Sequence, residues 1–387
     1  MNIGYFVSQY PYTTDYSDYF YGGTGTVAVN LAKEISSRNN DVSVFTTSKT
    51  KSFELDSIGK ITVYRYGTNF RIADARISIR LLTEPLKHKL DLVHAHMGNA
   101  PAPIAAWLYS RLKNKPLVVT YHGDQQDNYG NFLRRYSVKL YNKVFARVIL
   151  KSANAIISPS GPFINESQFL PIFREKIVVI PNGINKEEVL TNITRNKCRK
   201  ELGIPADSIL FLFVGSLSKY KGPDILLKAA KLVVEKIPDA IFVFVGSGQM
   251  ASELESLARE LNLCKNVKFT GFVDNDTKYR YFKAADIFTL PSTLNTEVFP
   301  IVLLEASAAK LPMVVSDLET FNCIIKSGIN GVITKRNDYN NLADSLVKLA
   351  SNKKLLSEMS ENAYKNVSNF SWSRIADETE GVYKKLT

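Results

Sequence analysis

Short apolar runs alternate with stretches of helical spacing along the whole chain, and this alternation limits the fold more than any other feature. A strand buried on both faces reads as an almost unbroken apolar run, and a helix between two such runs is the crossover of a parallel sheet. Ile3–Val7, Val42–Thr46, Leu92–Ala95, Leu117–Thr120, Ala155–Ser158 and Lys176–Ile180 make a first series of strands. The helix after the first strand, Thr26–Ser37, places Val27, Leu31 and Ile35 on one face. Pro181-Asn182-Gly183 ends the series, and a polar stretch follows to 207. The pattern then repeats, with strands at Ile209–Val214, Ile241–Val245, Val267–Thr270, Ile287–Leu290 and Met313–Ser316. Helices are expected between them at Ile225–Lys236, Met250–Leu261, Lys278–Ala285 and Ile301–Ala309. The chain therefore predicts an α/β protein of two Rossmann-like domains, 1–185 and 186–368, with a last helix around Trp372–Leu386. The tyrosine-dense residues 10–21 predict a loop. Ligands of such sheets bind at the carboxyl ends of the strands, so the chemistry is sought in the loops that leave them.

Composition removes several classes of function. Cys198, Cys264 and Cys323 lie far apart with no CxxC pair, which argues against a disulfide framework, a zinc site or a redox motif. The first residues lack the basic start and long apolar stretch of a secretory signal, and no window reaches the ~18 apolar residues of a membrane span. A cytoplasmic location is expected. The net charge is +12 and uneven, with 22 Lys and Arg against 13 Asp and Glu in residues 1–185. A basic half suits an anionic partner such as a phosphate or lipid headgroups. Nucleic acid is not expected, because no recognised binding module is present.

Four segments could carry chemistry. Gly22-Gly23-Thr24-Gly25 opens the first helix, where glycines admit an anion to backbone N–H groups. The alternative there is a tight helix start capped by Thr24 or Thr26. Tyr121-His122-Gly123-Asp124 leaves a strand through a sharp turn, so that His122 and Asp124 can face a cleft. His94 and His96 have a spacing that suits a metal in a strand, but no acidic or cysteine partner is near, and no metal site is expected. Val214-Gly215-Ser216 leads through Lys219 and Lys221 into a helix, which is a phosphate cradle without the Walker pattern. Glu297 precedes Pro300 in a loop before a helix, and Glu305 lies inside an apolar helical run, where it needs a hydroxyl or a cation.

Taken in order, these segments resemble the retaining family-4 glycosyltransferases of the GT-B fold, in which two Rossmann-like domains face each other across a cleft. Glu297-x7-Glu305 resembles the family signature and follows Ala285-Asp286-Ile287-Phe288-Thr289-Leu290-Pro291-Ser292, its expected place. Pro181-Asn182-Gly183-Ile184, Gly246-Ser247-Gly248, Thr270-Gly271-Phe272-Val273 and Phe370-Ser371-Trp372 are similar to further family segments. The resemblance covers nearly the whole chain. It implies transfer of a hexose-type sugar from a nucleotide-diphosphate sugar to a glycan or lipid-linked acceptor, with no cofactor and no metal. Residue by residue, it implies that Glu305 accepts hydrogen bonds from the nucleotide ribose and that Glu297 holds hydroxyls of the donor sugar. Lys221 and the backbone of Val298–Ile301, including Phe299, Pro300 and Ile301, would meet the diphosphate. Phe272 and Val273 would line the base pocket. Gly23 and Gly25 would lie near the donor phosphate and the acceptor, and His122 beside the transferred sugar, with Asp124 in its turn. Residues 369–387 would pack back on the first domain. Ser216 stands where the family commonly has an arginine, which leaves Lys221, with Lys219 nearby, to meet the diphosphate. Pro300 replaces a frequent glycine.

One further segment points to a surface. Residues 131–151 read as a helix without an acidic residue, with Arg135, Lys139, Lys143, Arg147 and Lys151 recurring every four positions. Leu140, Tyr141, Val144, Phe145, Val148 and Ile149 fill the other faces. Two readings stay open: a domain helix with a solvated basic face, or a helix lying on an anionic membrane. For the whole chain, the rival readings are a nucleotide-sugar epimerase of the same architecture and a non-catalytic nucleotide-sugar binder.

Overall fold

The computed structural model describes residues 1–12, 22–72, 75–98, 100–127, 132–190 and 192–387. The chain divides into two compact units, Met1–Gly183 with Trp372–Thr387, and Ile184–Ser371. In the first unit the strands are β1 (Asn2–Phe6), β2 (Asp41–Thr47), β3 (Glu54–Ile58), β4 (Ile61–Tyr66), β5 (Phe70–Ile72), β6 (Ala75–Ile77), β7 (Leu92–Met97), β8 (Leu117–Tyr121), β9 (Ala155–Ser158) and β10 (Ile177–Val179). Eight of them form one sheet in the order β10-β9-β8-β7-β1-β2-β4-β3. It is parallel except for β3, which returns antiparallel beside β4. β5 and β6 form a separate antiparallel pair. The second unit holds β11 (Leu210–Val214), β12 (Ile241–Val245), β13 (Val267–Gly271), β14 (Ile287–Leu290), β15 (Met313–Ser316) and β16 (Gly331–Thr334), in the order β13-β12-β11-β14-β15-β16 and all parallel.

Burial explains the apolar runs. Phe211, Leu212 and Phe213 on β11, Phe242, Val243 and Phe244 on β12 and Ile287 and Phe288 on β14 are fully buried, because helices cover both faces of the sheet. Chain order reverses between β1 and β7 in the first unit and between β11 and β14 in the second. At such a reversal the two crossovers leave in opposite directions and open a crevice at the strand ends.

The structure departs from the sequence expectation in several places. The hairpins of residues 54–77 and the edge strand β16 were not foreseen, nor were the helices Ala102–Lys113, Arg195–Leu202, Tyr339–Ala350 and Lys353–Val367. Edge strands carry mixed exposure, as in the alternating β3, and so lack a continuous apolar run. Neither threonine caps the first helix. It already runs from Gly22 to Ser37, and the Thr26 hydroxyl donates back to the Gly22 carbonyl. The expected helix over 131–151 runs continuously from Phe132 to Ser152, with a π-helical turn, Asn142–Ala146, between its α-helical parts Phe132–Tyr141 and Arg147–Ser152. Its first residue, Asn131, and most of the expected loop 10–21 lie outside the described residues.

Candidate active site

In the second unit the crevice between β11 and β14 gathers the expected donor residues. Lys219–Lys221 forms a short 3-10 turn after β11, closed by Gly222. Gly222 has φ +66°, and a Cβ there would lie 2.2 Å from the carbonyl oxygen of Pro291, at the end of β14. Only glycine lets these two loops approach so closely. That approach brings the Lys221 ammonium onto the Glu297 carboxylate, and the two form a buried ion pair. Burial alone pulls the Lys221 ammonium down, but the Glu297 carboxylate and the Tyr220 hydroxyl outweigh it and hold its pKa above the usual lysine value. The Thr320 hydroxyl fixes the loop by donating to the Glu297 backbone carbonyl at 2.6 Å.

Pro300 ends that loop, and helix Ile301–Ala308 begins without a side-chain cap, so its first N–H groups point toward the loop. Phe299 packs against Phe370, so any ligand contact it makes must come from its backbone. Ser216 is exposed and bonded to the Ser218 hydroxyl at 2.9 Å, and Lys219 is held by Asp224 at 2.6 Å. Lys219 is thus already engaged, and Lys221 is the cation set deepest at the crevice. Glu305 has the cation it needs: Lys278 donates to its Oε1 at 2.7 Å. Phe272 is 57% exposed beyond β13, and Val273 packs on the unit's core.

The first unit carries its own cavity of about 170 Å³ at the reversal between β1 and β7. Val7–Gln9 after β1, Gly22–Gly25 at the start of the first helix, His96, Gly98 and Gln125 line it. Gly23 and Gly25 therefore face a cavity, but the histidine that shares it is His96. His122 stands behind, with its Nε2 3.0 Å from His96 Nδ1. The Nε2 of His96 is buried without a hydrogen-bond partner among the described residues. His94 uses both ring nitrogens, on the Tyr383 hydroxyl at 2.5 Å and the Thr120 hydroxyl at 2.7 Å, which leaves none for a metal. Burial holds all three imidazoles neutral: His94 is pushed down to about 3, His122 to about 4 and His96 well below its ordinary value. Asp124 is taken up by the Tyr121 and Ser167 hydroxyls and the Gln168 N–H, so it ties the turn after β8 to the rest of the unit. The next carbonyls are also held, Gln125 by Asn142 and Gln126 by Arg134.

Sequence reasoning missed His96 and Lys278 as site residues. The His96–His122 contact crosses from β7 to the end of β8, and the Lys278–Glu305 contact joins two helices 27 residues apart. Neither carries a local signal, although Glu305 in an apolar run announced that some cation was required.

Comparison with known proteins decides what this pair of crevices belongs to. Residues 21–188 match the family described as "Glycosyltransferase Family 4", and residues 194–366 match "Glycosyl transferases group 1". The chain is 31% identical over 322 residues to the UDP-Gal:alpha-D-GlcNAc-diphosphoundecaprenol alpha-1,3-galactosyltransferase of Escherichia coli, covering 81% of this chain and 80% of the relative. This protein belongs to the family-4 glycosyltransferases. It is 29% identical over 356 residues to the O-antigen chain mannosyltransferase C of Escherichia coli, with 91% of each chain covered. Anabaena HepE, solved with UDP and glucose, has the same GT-B fold with a TM-score of 0.75 at 20% identity, over the full length of both chains. The glycosyltransferase is therefore an enzyme of two Rossmann-like domains, and these comparisons give the epimerase and the silent binder no support.

Proposed function

We propose that this glycosyltransferase moves a hexose, with retention of configuration and without a metal, from a nucleotide-diphosphate sugar to a glycan or lipid-linked acceptor. The buried Lys221–Glu297 pair at the second unit's crevice carries the reading. A departing diphosphate is stabilised by fixed donors aimed at it in a dry site. Lys221 supplies a full charge, and the uncapped start of helix Ile301–Ala308 supplies oriented N–H groups. When the diphosphate takes Lys221, Glu297 is freed to accept hydrogen bonds from sugar hydroxyls. Glu305 accepts them from the ribose, and Phe272 and Val273 flank the base. The first unit serves the acceptor, in the cavity under Gly22–Gly25. The acceptor hydroxyl attacks the anomeric carbon on the face that the diphosphate leaves and passes its proton to a diphosphate oxygen. His122, held neutral behind His96, is not the base.

The acceptor class draws support from the relatives, one of which is named for a diphosphoundecaprenol-linked acceptor. An enzyme with a lipid-linked acceptor works at a membrane surface, and the segment Phe132–Ser152 has the surface for it. Phe132, Tyr136, Leu140, Val144 and Val148 are exposed along one stripe, beside the exposed basic stripe Arg135, Lys139, Lys143, Arg147 and Lys151. No helix among the described residues is long and apolar enough to cross a membrane.

The test is a donor screen by mass spectrometry, with EDTA present, on the wild type and on Lys221→Ala and Glu297→Gln. Slow release of nucleoside diphosphate from one donor is expected. Lys221→Ala should lower it about 100-fold or more, and Glu297→Gln about 10-fold or more, with the circular dichroism unchanged. Normal turnover in both variants would overturn the assignment, and conversion of the donor to an isomeric nucleotide-sugar would move the protein to the epimerases.

A further inference from the structure

We infer that Lys278 is a positioning residue for the nucleotide, acting through Glu305 to select ribose over deoxyribose. The inference rests on the proposed contact between Glu305 and the ribose. Lys278 lies one turn into helix Asn275–Ala284, whose start directly follows Phe272 and Val273. Its ammonium donates to Glu305 Oε1 at 2.7 Å and sits 4.6 Å from the centroid of the Tyr279 ring. Both side chains of the pair are largely buried, at 18% and 10% exposure. Glu305 Oε2 takes no hydrogen bond from the described residues, so one oxygen is anchored and the other is open.

This is the arrangement that diol recognition requires. A carboxylate on a helix can rotate about its side-chain torsions, and each rotamer aims its lone pairs differently. One oxygen fixed by a cation leaves a single aim for the other. An ionised oxygen accepts hydroxyl hydrogen bonds more strongly than a neutral one. Lys278 thus sets the direction of the group proposed to meet the 2′ and 3′ hydroxyls. The Tyr279 ring holds the ammonium from the side and limits its own freedom.

Calorimetry with UDP, GDP and ADP and their 2′-deoxy forms tests this on the full chain, with the wild type, Lys278→Met, Lys278→Arg and Glu305→Gln. The wild type should favour the ribonucleotide of its preferred base about tenfold or more. In Lys278→Met that ratio should fall toward one. Lys278→Arg should recover most of the ratio, and a near-wild-type melting temperature in that variant secures the comparison. A wild-type ratio in Lys278→Met would overturn the role of Lys278 alone. Absence of ribose preference in the wild type, or an unchanged ratio in Glu305→Gln, would overturn the Glu305 contact and this inference with it.

Discussion

Three imidazoles lie in a row across β7 and β8, with ring centroids of His94 and His96 4.6 Å apart and those of His96 and His122 5.3 Å apart. Three charges could not share that space, and burial keeps them neutral, with His122 adding to the penalty on His94, and His94 and His122 adding to that on His96. The sign of the resulting pH dependence follows. In the unfolded chain each histidine takes up a proton near pH 6.5, whereas the folded His122 waits until about 4 and His94 until about 3. Between those values the unfolded state binds more protons, so stability is complete above pH 6.5 and is lost as pH falls toward 4 and below. At pH 5 a fully buried imidazole costs about 2 kcal/mol, and the half-buried His122 less, because water screens it. Melting curves at pH 7 and pH 5 should therefore separate more in the wild type than in His94→Gln, which removes one of the titrations. Parallel losses in the two proteins would show that these histidines do not set the acid limit. The carboxylates Glu297 and Glu305 contrast with this row: each is buried, and each has a lysine within contact. The second unit's crevice therefore keeps its charged side chains in pairs, and the first unit keeps its three histidines uncharged.

At the scale of elements, legibility in the sequence followed burial. β9, β12, β14 and β15 carry the expected bounds because each is a fully or almost fully apolar run between turns. β3, β5 and β6 went unread because half-exposed hairpin strands mix polar and apolar residues without a continuous run, and β4, although largely buried, has its apolar run interrupted by Thr62 and Arg65. Lys221, Glu297 and Glu305 stood out because charge among apolar residues calls for a partner, but which lysine serves which glutamate depends on loops that meet only in the fold. The segment Phe132–Ser152 shows the same limit. Sequence gave its basic stripe, while the structure shows that Tyr141, Ile149 and Leu150 face the core and that Leu140, Val144 and Val148 do not. Five exposed apolar side chains beside five basic ones suit an anionic bilayer, where apolar insertion and headgroup attraction add. Flotation with vesicles of phosphatidylcholine and phosphatidylglycerol should carry the protein up, and pure phosphatidylcholine should do so much less. Replacing Phe132, Tyr136 and Leu140 by serine should reduce flotation at least tenfold with no loss of melting temperature, because these side chains contribute little to the core. Equal flotation of that variant, or none of the wild type on either vesicle, would remove the membrane reading.

At the scale of the whole molecule, the last helix decides how the chain is divided. Trp372–Lys384 follows directly on the second unit but belongs to the first. It lies along helix Gly22–Ser37 and buries Trp372, Ile375, Ala376, Thr379, Val382 and Tyr383. The Tyr383 hydroxyl lies 2.9 Å from that of Tyr5 and also meets His94, so the helix is bonded to β1 and β7 beneath the cavity of the first unit. Asn40 donates to Glu380 at 3.0 Å, and Arg38 pairs with Asp377. The second unit closes on itself where Ile184 donates to the Phe370 carbonyl at 2.7 Å and pairs with Ser371. Deleting residues 372–387 should therefore act on one unit alone. Burying a large apolar side chain contributes about 1.5–3 kcal/mol, and Trp372, Ile375, Val382 and Tyr383 together approach the ~5–15 kcal/mol that holds a whole domain. Calorimetry of the truncated chain should show the first unit's transition lost or displaced far down, while the second unit melts where it does in the full chain. Nucleotide binding, proposed for the second unit, should survive, and sugar transfer, proposed to need the cavity under Gly22–Gly25 as well, should fail. Tyr383→Phe gives the graded form of the same test: loss of one hydroxyl shared by two buried partners should cost about 1–3 kcal/mol in the first transition only. A single cooperative transition that shifts as a whole in either protein would mean that the two units do not stand apart energetically, and that the helix supports both.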